Sequence, residues 1–259
     1  MPSSPQLEEA EISHCEKHHS DCTASCSNLI RNKLDKRYLK NENMLSREEN
    51  LSLREKRVAV VGCGGLGGYI IEQIARLGIG HITVIDGDVF DESNLNRQLF
   101  STVDNIGQAK VLAARERIEK VNPDIKIVTH NLFLNEDNAI DLLQNHDVLC
   151  DALDNISTRM MLQRFASQLQ IPMVYGAIAG WYGQVATIFP GDHIPGSIHH
   201  ASLNKGIEQE LGNPSFTPAL VASIQVSEVL KILTGKGKSL RNRFMLIDTL
   251  EQEYEVFDL

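Results

Sequence analysis

One short stretch limits what this chain can fold into more than any other: an apolar run that stops at a cluster of glycines and resumes at helical spacing. Residues 57–61 (RVAVV) lead directly into Gly62-Cys63-Gly64-Gly65-Leu66-Gly67. Ile70, Ile71, Ile74 and Leu77 then recur on one helical face until Gly78 and Gly80 end the period. Residues 81–86 (HITVID) read as a second strand. Strand, tight glycine turn, helix and strand make a βαβ unit, whose crossover is right-handed.

The alternation continues along the chain. Helices are expected near 108–121, 136–144 and 157–169, and strands at 125–129, 147–152 and 172–175. Residues 184–189 (QVATIF) read as a further strand, and 190–214 as a long irregular loop rich in Gly, Pro, His and Asn. Thr217-Pro218 suggests a cap and a first-turn proline for an apolar helix running to Leu233 and closed by Gly235. Strands at 243–248 and 254–257 complete the pattern. The expected fold is α/β: a Rossmann-like, doubly wound, mostly parallel sheet with a C-terminal antiparallel extension and a helical N-terminal segment.

Residues 1–30 hold few large apolar side chains and read as a flexible tail. Residues 31–56 read as a helical segment, with Ser46 and Glu49 spaced as a capping box, and 57–259 as the main domain. The formal net charge of −9 disfavours nucleic acid or an anionic membrane as partner. No stretch offers ~20 consecutive apolar residues and the N-terminus lacks a secretory pattern, so a cytoplasmic protein is expected.

Five cysteines, an odd number in a chain of 259 residues, do not suggest a disulfide framework. Cys15, Cys22 and Cys26 lie near His14, His18 and His19, but no CxxC pair accompanies them, and they are read with the tail. His193, His199 and His200 read as solvated loop histidines, Cys63 and Cys150 as packing residues, and Trp181 as a packing or docking residue.

The chemistry gathers around the glycine turn. Gly62, Gly64, Gly65 and Gly67 follow a strand and open a helix, where backbone N–H groups and the helix N-terminus bind phosphate. Asp86 ends the next strand, where a carboxylate reaches a ribose hydroxyl. Ser93, Asn94 and Arg97 come next, Lys110 opens a helix, and Asp154-Asn155 lies just past a strand end. Two cations and a carboxylate near a phosphate chain suit ATP with Mg²⁺, whereas a nicotinamide dinucleotide has no γ-phosphate for Arg97 to grip.

GCGGLG, the aspartate of VIDGD, SNLNRQ, the lysine of GQAK, and ALDN together resemble the nucleotide site of the MoeB/ThiF/HesA proteins and of ubiquitin-activating enzymes. The similarity runs from about residue 37 to 248. It implies an adenylyltransferase that uses ATP to activate the C-terminal glycine carboxylate of a small ubiquitin-like carrier ending in Gly-Gly. It also implies a homodimer. In this reading Gly65 approaches the phosphates, Asp86 holds the ribose, and Ser93, Asn94 and Arg97 line the triphosphate. Lys110 screens charge, Asp154 holds Mg²⁺ beside Asn155, and Arg97, Lys110 and Asp154 carry catalysis.

The chain departs from the family pattern at three places. The paired CxxC motifs that hold a structural zinc are absent, so no such zinc is expected. A cysteine able to accept the acyl group is missing from 190–214. The N-terminal RYxR motif, whose last arginine reaches across the dimer, appears as Arg37-Tyr38-Leu39-Lys40, which keeps the charge but loses the bidentate fork. Two other readings stand beside this one: a tRNA-modifying relative that activates a nucleoside carboxylate, and a non-catalytic nucleotide-binding partner protein.

Overall fold

A computed structural model describes residues 35–192 and 208–259. The described residues divide into two units, one ending at Ser52 and the other running from Leu53 to Leu259. In the first, a 3-10 turn (Lys36–Asn41) is capped by Asp35, which accepts the Arg37 N–H, and its Tyr38 is buried. Helix α1 (Arg47–Ser52) follows. Its expected capping box forms: Ser46 Oγ accepts the Glu49 N–H at 3.2 Å, and Glu49 Oε2 accepts the Ser46 N–H at 2.6 Å.

The second unit is built on an eight-stranded sheet. Its strands are β1 (Arg57–Val61), β2 (His81–Ile85), β3 (Lys126–His130), β4 (Val148–Asp151), β5 (Met173–Ala179), β6 (Tyr182–Ile188), β7 (Arg243–Asp248) and β8 (Glu253–Asp258). The spatial order is β3-β2-β1-β4-β5-β6-β7-β8. The first five pair in parallel, and β5 to β8 pair antiparallel. This is the expected Rossmann-like sheet with its antiparallel extension. The chain reverses its direction of winding between β1 and β4, so a crevice opens outside the carboxyl ends of those two strands.

Helices α2 (Gly65–Leu77), α3 (Lys110–Val121), α4 (Ala139–Leu143), α5 (Ile156–Gln168), α6 (Glu208–Leu211) and α7 (Phe216–Thr234) complete the unit. All four residues of β4 are buried, as parallel strands covered on both faces must be. Leu143, Leu162 and Phe165 from α4 and α5 form one core with Leu149, Met173 and Phe244 of the sheet. Helices α2 and α7 pack together, and α7 lies along β5 and β6. Within its 19 residues an 18-residue window has a mean hydropathy of 1.4, long and apolar enough to cross a membrane by composition. Here Val221, Ala222, Val226 and Val229 are buried within the fold.

Three elements differ from the sequence expectation. The helix expected over 136–144 shrinks to α4 because Asn135 and Asn138 trade side-chain for helical hydrogen bonds. Asn135 Oδ1 accepts the N–H groups of Asp137 and Asn138, while Asn138 Oδ1 accepts the Asn135 N–H. Strand β5 runs on to Ala179 through Gly176, which is a close-approach site and no terminator: a Cβ there would lie 2.3 Å from Gln225 of α7. Helix α7 starts one residue before Thr217, whose hydroxyl donates instead to the Gly180 carbonyl at 2.7 Å. Its end matches: Gly235 closes it in the left-handed region at φ 69°. Within 190–214 the described part contains α6, while His193, His199 and His200 lie outside the described residues, as do the tail's Cys15, Cys22, Cys26, His14, His18 and His19.

Candidate active site

The four glycines of the turn divide into two pairs with different physical duties. Gly62 has φ +100°, and a Cβ on it would meet the Ala152 carbonyl oxygen at 2.4 Å; a Cβ on Gly67 would lie 2.0 Å from the Gly62 oxygen. Those two allow β1, α2 and the turn after β4 to close on one another. Gly64 and Gly65 are more open, the nearest atoms to their notional Cβ positions being Gln98 Nε2 and Pro218 Cβ, each at 3.5 Å. Gly64 is the N-cap of α2 and offers no side-chain cap. The first-turn N–H groups of this 13-residue helix are therefore left without a side-chain acceptor, where an anion is favoured by both hydrogen bonding and the helix dipole.

Asp86 follows β2 and is bonded at both oxygens. Oδ2 accepts the Cys63 N–H at 2.6 Å, and Oδ1 accepts the Asp88 N–H at 2.7 Å. Burial pushes its carboxyl above the usual carboxylate range, against the pull of these two N–H groups and of Lys110. Asp86 thus braces the glycine turn from the end of the neighbouring strand. Lys110, the first residue of α3, is buried, and its Nζ lies 3.0 Å from Asp88 Oδ2. Asp88 was not among the residues singled out from sequence, although it stands in the same DGD turn.

Residues 91–98 wall the glycine turn, with Gln98 beside Gly64 and Arg97 beside Gly65. Asp91 caps a 3-10 turn (Glu92–Asn94) by accepting the Ser93 N–H. Asn94 is buried, and its Oδ1 is taken by the Asp91 N–H at 3.1 Å. Arg97 donates from Nη1 to the Ser93 carbonyl at 3.0 Å and to Asn96 Oδ1 at 2.9 Å. Asn96 in turn donates to the Asn213 carbonyl at 2.9 Å, tying this wall to the segment before α7. Burial lowers the Arg97 pKa, and the charge of Asp154 raises it, so the two side chains share one electrostatic neighbourhood. Arg97 Cγ is also 3.8 Å from the notional Cβ of Gly65. Gln98, the last residue of the SNLNRQ string, is buried with an unbonded Oε1 and borders Gly64, a placement that its local sequence does not signal.

Asp154 stands in the turn between β4 and α5, with its side chain exposed. Asn155 caps α5, its Oδ1 accepting the Thr158 N–H at 2.8 Å and the Ser157 hydroxyl at 3.2 Å. Among the described residues no three His, Cys, Asp or Glu side chains cluster as a metal cage. A single exposed carboxylate is enough to help hold Mg²⁺ where substrate phosphates supply the remaining ligands, since this ion binds through one or two carboxylates. Cys63 and Cys150 are buried, and burial raises both thiol pKa values far above the range of a reactive thiolate.

Comparison with known proteins identifies the family and the fold. The ThiF family profile matches residues 38–259. The chain belongs to the ThiF family. Its ThiF-family relatives include the sulfur carrier protein adenylyltransferase of Thermus thermophilus, 32% identical over 218 residues, covering 78% of each chain. The probable adenylyltransferase/sulfurtransferase MoeZ of Mycobacterium tuberculosis is 34% identical over 220 residues, which cover 80% of this chain and 55% of that longer protein. The SAMP-activating enzyme E1 of Haloferax volcanii is 31% identical over 213 residues, covering 78% of this chain and 76% of that one. Among solved structures, E. coli MccB with ATP shares the fold at TM-score 0.74 and 17% identity, covering 97% of this chain and 86% of MccB. PaaA does so at TM-score 0.71 and 19% identity, covering 100% of this chain and 83% of PaaA. The named relatives are adenylyltransferases of the MoeB/ThiF type.

Proposed function

We propose that this chain binds ATP with Mg²⁺ and adenylates the C-terminal glycine carboxylate of a small ubiquitin-like carrier protein ending in Gly-Gly, releasing pyrophosphate. The observation that carries the reading is the uncapped N-terminus of α2 flanked by Arg97, with Asp154 close enough to shift the Arg97 pKa. The names of the relatives, sulfur carrier protein adenylyltransferase and SAMP-activating enzyme, support a carrier protein as the substrate.

In the reaction a carboxylate oxygen of the carrier attacks the α-phosphorus of ATP. A new P–O bond forms as the bond to the bridging oxygen of the β-phosphate breaks, giving acyl-adenylate and pyrophosphate. The nucleophile is already ionised, so no protein base is required, and repulsion between carboxylate and phosphate is the obstacle to overcome. The first-turn N–H groups of α2 receive phosphate oxygens. Asp86 braces that turn and offers its remaining lone pairs to the ribose. Arg97 and Lys110 screen the charge that builds on the phosphates, the lysine exchanging its Asp88 partner for a phosphate oxygen. Mg²⁺ held by Asp154 would supply further neutralisation of the triphosphate.

Cys63 and Cys150 are too buried to serve as acyl acceptors, which supports chemistry that ends at the acyl-adenylate. A homodimer in which Lys40 completes the neighbouring site, and a cytoplasmic location, go with this reading. The test is carrier-dependent exchange of labelled pyrophosphate into ATP, with thermal shift by Mg-ATP and by NAD measured alongside. Exchange with ATP-specific stabilisation is expected. Tight NAD binding without ATP stabilisation would reject it, and a reducible carrier adduct lost on replacing the cysteines would reject the end-point at the adenylate.

A further inference from the structure

The turn that carries Asp154 is anchored by an ion pair that the ATP site itself does not touch. Asp151, the last residue of β4, is 0% exposed, and Arg159 in the first turns of α5 is 8% exposed. Asp151 Oδ1 accepts the Leu153 N–H at 3.0 Å, while Oδ2 has no hydrogen-bonded donor and faces Arg159 Nη1 at 3.6 Å. The guanidinium spends its direct hydrogen bonds elsewhere. Nη1 donates to the Gly176 carbonyl at 2.8 Å, and Nη2 donates to the Leu153 carbonyl, the acceptor immediately before Asp154. The same group lies 5.1 Å from the centre of the Tyr175 ring. From the other side, Gln225 of α7 donates to the Asp151 carbonyl at 2.8 Å, and the Ala152 N–H donates to Val61 of β1 at 2.9 Å.

A buried ion pair is a weak source of stability, since hydrophobic residues of the same volume often do as well. What a guanidinium adds is a planar set of donors that fixes two carbonyls at once. Here those carbonyls belong to β5 and to the peptide that orients Asp154. We infer that Arg159, held beside Asp151, is a positioning residue: it sets the Leu153–Asp154 peptide so that the Asp154 carboxylate faces Arg97 and the metal-bearing phosphates. This rests on the reading of Asp154 as the Mg²⁺-holding residue. Arg159 touches neither nucleotide nor carrier in this scheme and acts through the turn.

Arg159→Lys keeps a charge beside Asp151 but cannot bridge both carbonyls. Asp151→Asn combined with Arg159→Gln removes both charges together and leaves no unpaired buried ion. Both variants, with Asp154→Ala as reference, are titrated with the methylene analogue of ATP in the presence of Mn²⁺ as a paramagnetic substitute for Mg²⁺, and again without metal. Thermal unfolding and the Mg²⁺ concentration for half-maximal pyrophosphate exchange are recorded on the same samples. The expected result is about tenfold weaker binding of the Mn²⁺–nucleotide complex, as for loss of an outer partner of a metal ligand. Metal-free nucleotide binding should stay unchanged, the Mg²⁺ requirement should rise about tenfold, and Arg159→Lys should lose less than the double variant. If both variants match the wild type while Asp154→Ala loses metal–nucleotide affinity, or if metal-free binding falls equally, the positioning role is overturned. If Asp154→Ala itself has no effect, the placement of the metal fails and the inference with it.

Discussion

Lys110 Nζ lies 3.0 Å from Asp88 Oδ2, and the two ends of the pair see different surroundings: the lysine side chain is 8% exposed and the aspartate 51%. A buried cationic stem ending at a solvated carboxylate can change partner cheaply, because water takes over the aspartate when the ammonium leaves. Lys110→Met should keep the apolar packing and lower pyrophosphate exchange by about 10²- to 10³-fold, the scale of removing one charge-stabilising group. Asp88→Asn should leave exchange in place and tighten ATP binding a few-fold in calorimetric titration, since the competing anion is gone.

Asp154 is exposed in a turn and contributes little to packing. Asp154→Ala is expected to lower exchange at least about 10²-fold while the unfolding curve stays where it was. Full exchange in this variant would locate the metal elsewhere.

The two pairs of glycines predict opposite outcomes. Gly67→Ala puts a methyl carbon 2.0 Å from the Gly62 oxygen and should destabilise the fold by about 2–3 kcal/mol or more. Gly65→Ala meets only an ordinary contact at 3.5 Å, so it should fold normally and lose ATP affinity instead. Denaturant unfolding beside nucleotide titration separates the two.

Glu72 on α2 accepts from Arg76 at 2.6 Å and from Arg117 of α3 at 2.9 Å, with its own side chain 9% exposed. Burial pushes its carboxyl up, but the hydrogen bonds and charges of the two arginines outweigh this and hold its pKa below the usual value. A depressed folded-state pKa contributes stability that is present above the unfolded value, about 4.3, and is lost as pH falls through the folded value. Wild type should therefore lose stability on acidification below about pH 4 more steeply than Glu72→Gln. Both arginines are half exposed, so at neutral pH the variant should cost only about 1 kcal/mol. Parallel acid-unfolding curves for the two proteins would disprove the assignment.

Lys40 stands in the segment that corresponds to the RYxR motif, and its side chain is exposed. If it completes a neighbouring site, mixing Lys40→Ala with Asp154→Ala subunits should restore about a quarter or less of wild-type exchange, because each mixed dimer holds one intact site. This estimate follows from random pairing of subunits in a twofold dimer. Absence of rescue despite demonstrated subunit exchange would count against sharing in trans.

The parts of this protein that can be read from sequence depend on near neighbours. RVAVV, the GCGGLG turn, and Ile70, Ile71 and Ile74 announce β1, its turn and α2 through periodicity and glycine chemistry, and the Ser46–Glu49 box closes within four residues. Of the readings that differed, the start of α4 was moved by a local exchange between Asn135 and Asn138, and the other two by a distant partner that overrode a local signal. The strand expected over 172–175 continues through Gly176, whose missing side chain makes room for Gln225, and Thr217 looked like a cap and instead donates to Gly180.

The same division runs through the site. Sequence alone determined the alternating α/β order, the glycine turn between β1 and α2, and the candidate set Asp86, Arg97, Lys110 and Asp154. Tertiary structure decided which groups meet: Asp88 with Lys110, Asp86 with the Cys63 N–H, and Arg159 with the Leu153 carbonyl just before Asp154. The physical reason is that a hydrogen bond or ion pair acts over a few ångströms of space, whatever the separation along the chain: the sheet order sets Asp86 at the end of β2 beside Cys63 after β1, and Arg159 within reach of Gly176 in β5, while the folded β2–α3 connection returns Lys110 to Asp88.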